Sequence, residues 1–148
     1  MYRNVLVATD GSALADHAVS HGLSLAKSVG AKVTVVIVEA PFNIYDLPAS
    51  RTQEISDFIT EYSTRMRQHA NSVLSHVADK ANAAGVPCET VHCEHDFPYK
   101  AIIATAEAKG CDVIVMASHG RSGMSAMLLG SVTNQVLTHT KLPVLVCH

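Results

Sequence analysis

A chain of 148 residues with 48% apolar and 16% charged residues has room for one packed core, burying about two-thirds of the surface its unfolded form exposes. The formal charge is -2, with Lys and Arg scattered singly, so the concentrated positive field of a nucleic-acid binder is missing. No stretch approaches the ~20 apolar residues of a membrane span, and the opening Met1-Tyr2-Arg3-Asn4 lacks the charged and apolar regions of a secretory leader; the expectation is a cytoplasmic protein without membrane insertion.

Val5-Leu6-Val7-Ala8 is a short apolar run that ends in Thr9-Asp10-Gly11-Ser12, which predicts a strand buried on both faces and then a turn. Ser12 is a good N-cap, Leu14, Ala18, Gly22, Leu25 and Val29 recur at helical spacing, and Gly30 is a natural stop. Val33-Thr34-Val35-Val36-Ile37-Val38 reads as a second strand. Pro41 and Pro48 deny regular structure to the long connection that follows, from Pro41 to Arg51, a lid or a plain loop. Steps of three and four through Ile55, Ile59, Tyr62, Met66, Ala70, Val73, Val77, Ala81 and Ala84 predict one long helix, which Gly85-Val86-Pro87 ends.

A third strand is expected over Cys88 to Cys93, then a helix capped by Asp96, with Pro98 in its first turn and Gly110 at its close. Val113-Ile114-Val115-Met116 forms a fourth strand. Ser131 opens a helix carrying Val132, Val136 and Leu137, and Leu142 to Val146 is a last strand. Strands separated by helices need crossover connections, so the prediction is a single doubly wound α/β domain over residues 1–148, a five-stranded parallel sheet with helices on both faces.

In such sheets ligands bind beyond the carboxyl ends of the strands, where strand order reverses. That singles out Thr9-Asp10-Gly11-Ser12 and the loop from Ala117-Ser118-His119-Gly120 to Gly130-Ser131. The second has glycines that let backbone approach a ligand and a helix start where free N–H groups favour phosphate. Read alone, the same loop is equally two turns, at Gly120 and Gly123, and a capped helix.

The spacing from Ala117 through Gly120 to Gly130-Ser131-Val132-Thr133 resembles the G-x2-G-x9-G-S/T motif of the universal stress protein family, in its ATP-binding branch. Val5 to Asp10 resembles that family's first strand and Asp-bearing turn, and Gly130 to Val146 its C-terminal signature. The resemblance implies a five-stranded parallel sheet, a homodimer, and ATP held between the first and fourth strands. It places Ala8, Thr9 and Asp10 beside the adenosine, Val38 against the adenine ring, and Met116 and Ala117 along the ribose and adenine. Gly120, Gly130, Ser131, Val132 and Thr133 take the phosphates, through backbone N–H groups and the two hydroxyls. Against the triphosphate charge the loop itself offers Arg121, a helix dipole and His119. A divalent cation such as Mg²⁺ is expected as a companion to the triphosphate charge. The family's first motif glycine is Ala117 here. A position needing positive φ would make this cost about 1 kcal/mol, whereas a position needing only room would have a methyl crowd the ribose.

A GxxxxGK[ST] loop is absent, so efficient hydrolysis is not indicated. The leading reading is a nucleotide-dependent stress-response or regulatory homodimer. A slow ATPase or phosphotransfer enzyme, with His119 or Asp10 assisting, is the alternative. A dimeric interaction module that does not depend on nucleotide is another, against which Gly120 and Gly130-Ser131 argue. The apolar strand Leu142 to Val146 reads as a sheet edge that recruits a second copy. Cys88, Cys93, Cys111 and Cys147 form no CxxC pair and read as free thiols. Cys88 and His92 would face away from Cys93 on a strand, which disfavours zinc there. His17 and His21 lie four apart on a helix without a third ligand, and His69, His76 and His139 show no ligand spacing.

Overall fold

The computed structural model describes residues 1–43, 45, 52–121 and 129–148. The expectations for most of the Pro41–Arg51 connection and for a turn at Gly123 fall outside the described residues.

The apolar run becomes β1 (Asn4–Thr9), buried along its whole length. Helix α1 (Ala13–Val29) starts where Ser12 Oγ accepts the N–H of Ala15 at 3.2 Å and stops at Gly30, whose φ of 71° only glycine adopts readily. Its buried face differs from the predicted stripe. Ala15, Ala18, Val19, Gly22, Leu23 and Ala26 are buried, Leu14 and Leu25 are half-buried, and Val29 is 41% exposed. Gly22 explains the rotation. A Cβ there would stand 2.4 Å from Cγ2 of Val7, so the helix rests on the sheet through its small residues and the leucines flank the contact.

Strand β2 (Lys32–Glu39) leads to α2 (Thr52–Ala84), whose 33 residues span about 50 Å. Its buried positions, Ala70, Leu74, Val77 and Ala81, all lie in the second half. Ile55, Ile59, Tyr62 and Met66, in the first half, are only half-buried. Phe42 meets that half, with its ring 5.5 Å from Phe58 and 5.1 Å from Tyr62.

Strand β3 (Cys88–Glu94) extends one residue past the expected end. Helix α3 (Pro98–Ala108) is entered through Phe97, not Asp96, and no side chain caps it. Instead the N–H of Phe97 donates to Nδ1 of His95 at 2.8 Å, and Pro98 needs no partner because it has no N–H. Strand β4 (Val113–Ala117), α4 (Ser131–His139) and β5 (Val144–Cys147) complete the chain.

The strand order is β3-β2-β1-β4-β5, and the registered pairings are all parallel. One core packs α1 and α2 on Val5, Val7, Val33, Val35, Val113 and Val115. The other packs Ile102 and Ala106 of α3 and Val136 of α4 on Leu6, Val36, Ile114 and Met116. Period-two alternation thus sends each apolar strand into two cores. The fold is the expected doubly wound α/β sheet with helices on both faces.

Candidate functional site

Strand order reverses between β1 and β4, and the two strands part there. Their registered pairs run from Val5↔Val113 to Val7↔Val115 and no further. On their outer sides they stay paired, β1 with β2 as far as Thr9↔Ile37 and β4 with β5 as far as Ala117↔Cys147. Ala8, Thr9, Met116 and Ala117 therefore border an opening at the carboxyl end of the sheet, the place where α/β sheets take ligands. Ala8, Val38 and Met116 share the face covered by α3 and α4. Cys93, registered beside Val38, belongs to the same face and its sulfur lies 3.8 Å from Oγ1 of Thr105. Sequence reasoning did not place Cys93 beside Val38, since only strand register brings them together.

The turn after β1 is built on Asp10. Gly11 holds a φ of 81°, and its N–H donates to Oγ1 of Thr9 at 3.2 Å. Oδ1 of Asp10 accepts the N–H of Ser12 at 2.9 Å, and Oδ2 accepts the N–H of Arg121 at 2.7 Å. The carboxylate thus ties two loops that are 111 residues apart in sequence. Gly120 is what lets them meet, because a Cβ there would lie 2.6 Å from Oδ2 of Asp10.

The guanidinium of Arg121 turns back toward the same turn. Its Nε donates to the carbonyl of Asp10 at 2.7 Å, and a terminal nitrogen reaches Nε2 of His69 on α2 at 2.5 Å. Arg has no acceptor, so in this contact the guanidinium donates and Nε2 of His69 accepts. His69 carried no signal in the sequence; its partner lies 52 residues away.

The returning end of the loop docks on β4. The N–H of Gly130 donates to the carbonyl of Ser118 at 2.6 Å. A Cβ at Gly130 would stand 3.1 Å from that oxygen and 3.3 Å from Cα of His119. Gly130 is the N-cap of α4, with φ −67°, so room rather than an unusual backbone angle calls for glycine. Oγ1 of Thr133, buried, donates to the carbonyl of Ala117 at 2.8 Å. That hydroxyl proton is engaged within the protein, and the exposed Ser131 has the other hydroxyl. The first N–H groups of α4, from Ser131, Val132 and Thr133, have no intrahelical acceptor, as in any helix start, and their dipoles concentrate positive potential beside the opening.

Ala117 is accommodated without strain. No described non-glycine residue has positive φ. Its methyl joins the core beneath α1 and α2, on the opposite face from Ala8, Val38 and Met116. The cost anticipated for a positive φ at the missing glycine does not arise.

Other clusters stay apart. Register puts Cys93 on the Val38 face and Cys88 and His92 on the other; among the described residues no group of three His, Cys, Asp or Glu side chains converges as a metal site. The rings of His17 and His21 meet edge to face at 4.9 Å. The cysteines are free, and burial pushes the thiols of Cys88, Cys111 and Cys147 up. Among the described residues no helix is long and apolar enough to cross a membrane.

Comparison with known proteins agrees with this architecture. The family model described as "Universal stress protein family" matches residues 1–148. Universal stress protein MJ0531 of Methanocaldococcus jannaschii is 31% identical over 99% of this chain and 82% of its own length. Universal stress protein YxiE of Bacillus subtilis is 29% identical over 99% of both. The solved structure of MJ0577, also from M. jannaschii, superposes with a TM-score of 0.82 at 25% identity, covering 99% of this chain and 96% of that one. A universal stress protein solved in complex with cAMP superposes with a TM-score of 0.73 at 25% identity, covering 99% and 97%. With its order-reversed parallel sheet, its glycine-spaced loop and a family match over its whole length, the chain belongs to the universal stress protein family.

Proposed function

We propose that this protein binds an adenine nucleotide, ATP foremost, in the opening between β1 and β4, and acts as a nucleotide-dependent regulatory homodimer in the cytoplasm. The observation that carries the reading is the start of α4, pinned to the end of β4 by the Gly130–Ser118 and Thr133–Ala117 hydrogen bonds. Its free N–H groups stand where the sheet opens, and an anion there gains both hydrogen bonds and the helix dipole. Ala8, Val38 and Met116 supply an apolar face suited to a flat base. A similar fold solved with cAMP supports the choice of an adenine ligand.

In this reading Thr9, Asp10 and Ala117 border the nucleoside, and Gly120, Arg121, Gly130, Ser131, Val132 and Thr133 form the phosphate side. Thr133 contributes its N–H, its hydroxyl being bound to Ala117. Among the described residues no group of three His, Cys, Asp or Glu side chains converges, and in this reading Mg²⁺ enters with the phosphates rather than on a protein cage. The protein acts by binding; any hydrolysis is slow.

A thermal-shift and calorimetric titration with ATP, ADP and AMP, with and without Mg²⁺, tests the site. Stabilisation by nucleotide is expected for the wild type, and loss of it for Gly130→Val, whose side chain would enter the space of Ser118 and His119. No shift with any adenine nucleotide would overturn the reading.

A further inference from the structure

We infer that His69 is a positioning residue for the phosphate side of the site, acting through Arg121; this rests on the nucleotide-binding reading above. Arg121 is held at three points. Its N–H is on Oδ2 of Asp10, its Nε on the carbonyl of Asp10, and its terminal nitrogen on Nε2 of His69. The first two belong to one turn. The third crosses to α2, and His69 is followed there by Ala70, fully buried in the core. The ring also packs on the turn itself, since a Cβ at Gly11 would lie 3.1 Å from its Nε2. His69 therefore sits against both segments that border the opening and anchors them to a rigid helix.

The arrangement assigns Arg121 an unusual task. Its Nε and one terminal nitrogen are taken up by Asp10 and His69, and with them the guanidinium fixes the position of the backbone at Gly120 and Arg121 for a ligand. The chain leaves Ser118, is fastened at Asp10 and His69, and returns to Ser118 through the N–H of Gly130. Holding the outgoing limb removes conformational freedom that phosphate binding would otherwise have to remove, and preorganisation of this kind appears as affinity. The nucleoside lies against Ala8, Val38 and Met116, on the α3 and α4 side of the sheet, whereas His69 belongs to the α2 side. Loss of His69, which reaches the loop through Arg121, should consequently weaken ligands that carry phosphates more than adenosine.

Calorimetry with adenosine, AMP and ATP, each with Mg²⁺, separates the possibilities in the wild type, His69→Ala and His69→Gln, with circular dichroism confirming that all three fold. The Gln side-chain oxygen reaches about where Nε2 stands and retains the acceptor. His69→Ala should lower ATP affinity about tenfold, the scale of one hydrogen bond to a charged donor, and lower adenosine affinity by clearly less. His69→Gln should restore ATP binding. Equal ATP affinity in all three proteins, an equal loss for adenosine, or no recovery with Gln would overturn the role of His69. Exchange protection of the Arg121 terminal N–H that faces His69, read by low-temperature NMR without nucleotide, is expected in the wild type and His69→Gln and lost in His69→Ala. If that protection holds while no adenine ligand binds the wild type, the tether stands and the nucleotide reading falls, with the role of His69 in it.

Discussion

The hydroxyl of Thr133 donates to the carbonyl of Ala117 at 2.8 Å, and both residues are buried. This bond fixes the first turn of α4 against the last residue of β4, so the helix start and the strand opening keep one geometry. Thr133→Val preserves shape but leaves the Ala117 carbonyl without its donor, which costs about 1–3 kcal/mol for a buried group. Chemical denaturation should show that loss, and Thr133→Ser should recover most of it. An unchanged midpoint for Thr133→Val would show that the bond does not hold the helix.

Gly22 lies where α1 presses on β1. Gly22→Ala places a methyl 2.4 Å from Cγ2 of Val7, and overpacking of this kind costs about 1–3 kcal/mol. Val7→Ala alone should also destabilise, by leaving a cavity. The pair should be less harmful together than the sum of the two, because each relieves the other. A double-mutant cycle with strictly additive losses would refute the contact.

Asp16 on α1 accepts from Nζ of Lys80 on α2 at 2.8 and 2.9 Å. The hydrogen bond from Lys80 holds its carboxyl below the ordinary value of 3.8, against an opposing push from burial, with His76 adding a smaller pull. A carboxyl lowered on folding stabilises the protein above its unfolded value, and that stabilisation disappears as pH falls through the folded one. The side chains are 42% and 31% exposed, so solvent screening limits the effect to about 0.5 kcal/mol. Stability should therefore decline more steeply below pH 4 in the wild type than in Lys80→Met, as read by urea titration at several pH values. Parallel curves would show that the pair contributes nothing.

Strand β5 ends the sheet, and Leu145 on it is 42% exposed. If that edge meets its copy in a homodimer, light scattering should give twice the 15.8 kDa chain mass. Leu145→Arg should shift it toward monomer, since a charge in a sheet-edge contact opposes pairing. A wild type that is monomeric at micromolar concentration would rule out the dimer.

Strands, helices and their alternation were legible in the sequence because each follows from local periodicity and punctuation. Val5 to Ala8 has nowhere to go but a doubly buried strand, and Ser12 and Gly30 bound a helix by their own chemistry. Glycine spacing from Gly120 to Gly130 likewise pointed to the family. The cap of α3 was less legible, because Asp96 and Phe97 compete for one position and His95 Nδ1, two residues from the Phe97 N–H it accepts, decides the outcome.

Reasons, as opposed to positions, came from tertiary packing. Gly120 and Gly130 are glycines because Asp10, Ser118 and His119 lie where a Cβ would be, and no local pattern encodes a neighbour 111 residues away. The face of α1 depends on which side chain of β1 it meets, so Gly22 rather than the leucine stripe sets the contact. Ala117 could not be judged from its type alone; its tolerance depends on a methyl pointing into the core under α1 and α2. His69 shows the limit most plainly: its role is a hydrogen bond across two loops and a helix, and such a contact exists only once the chain is folded.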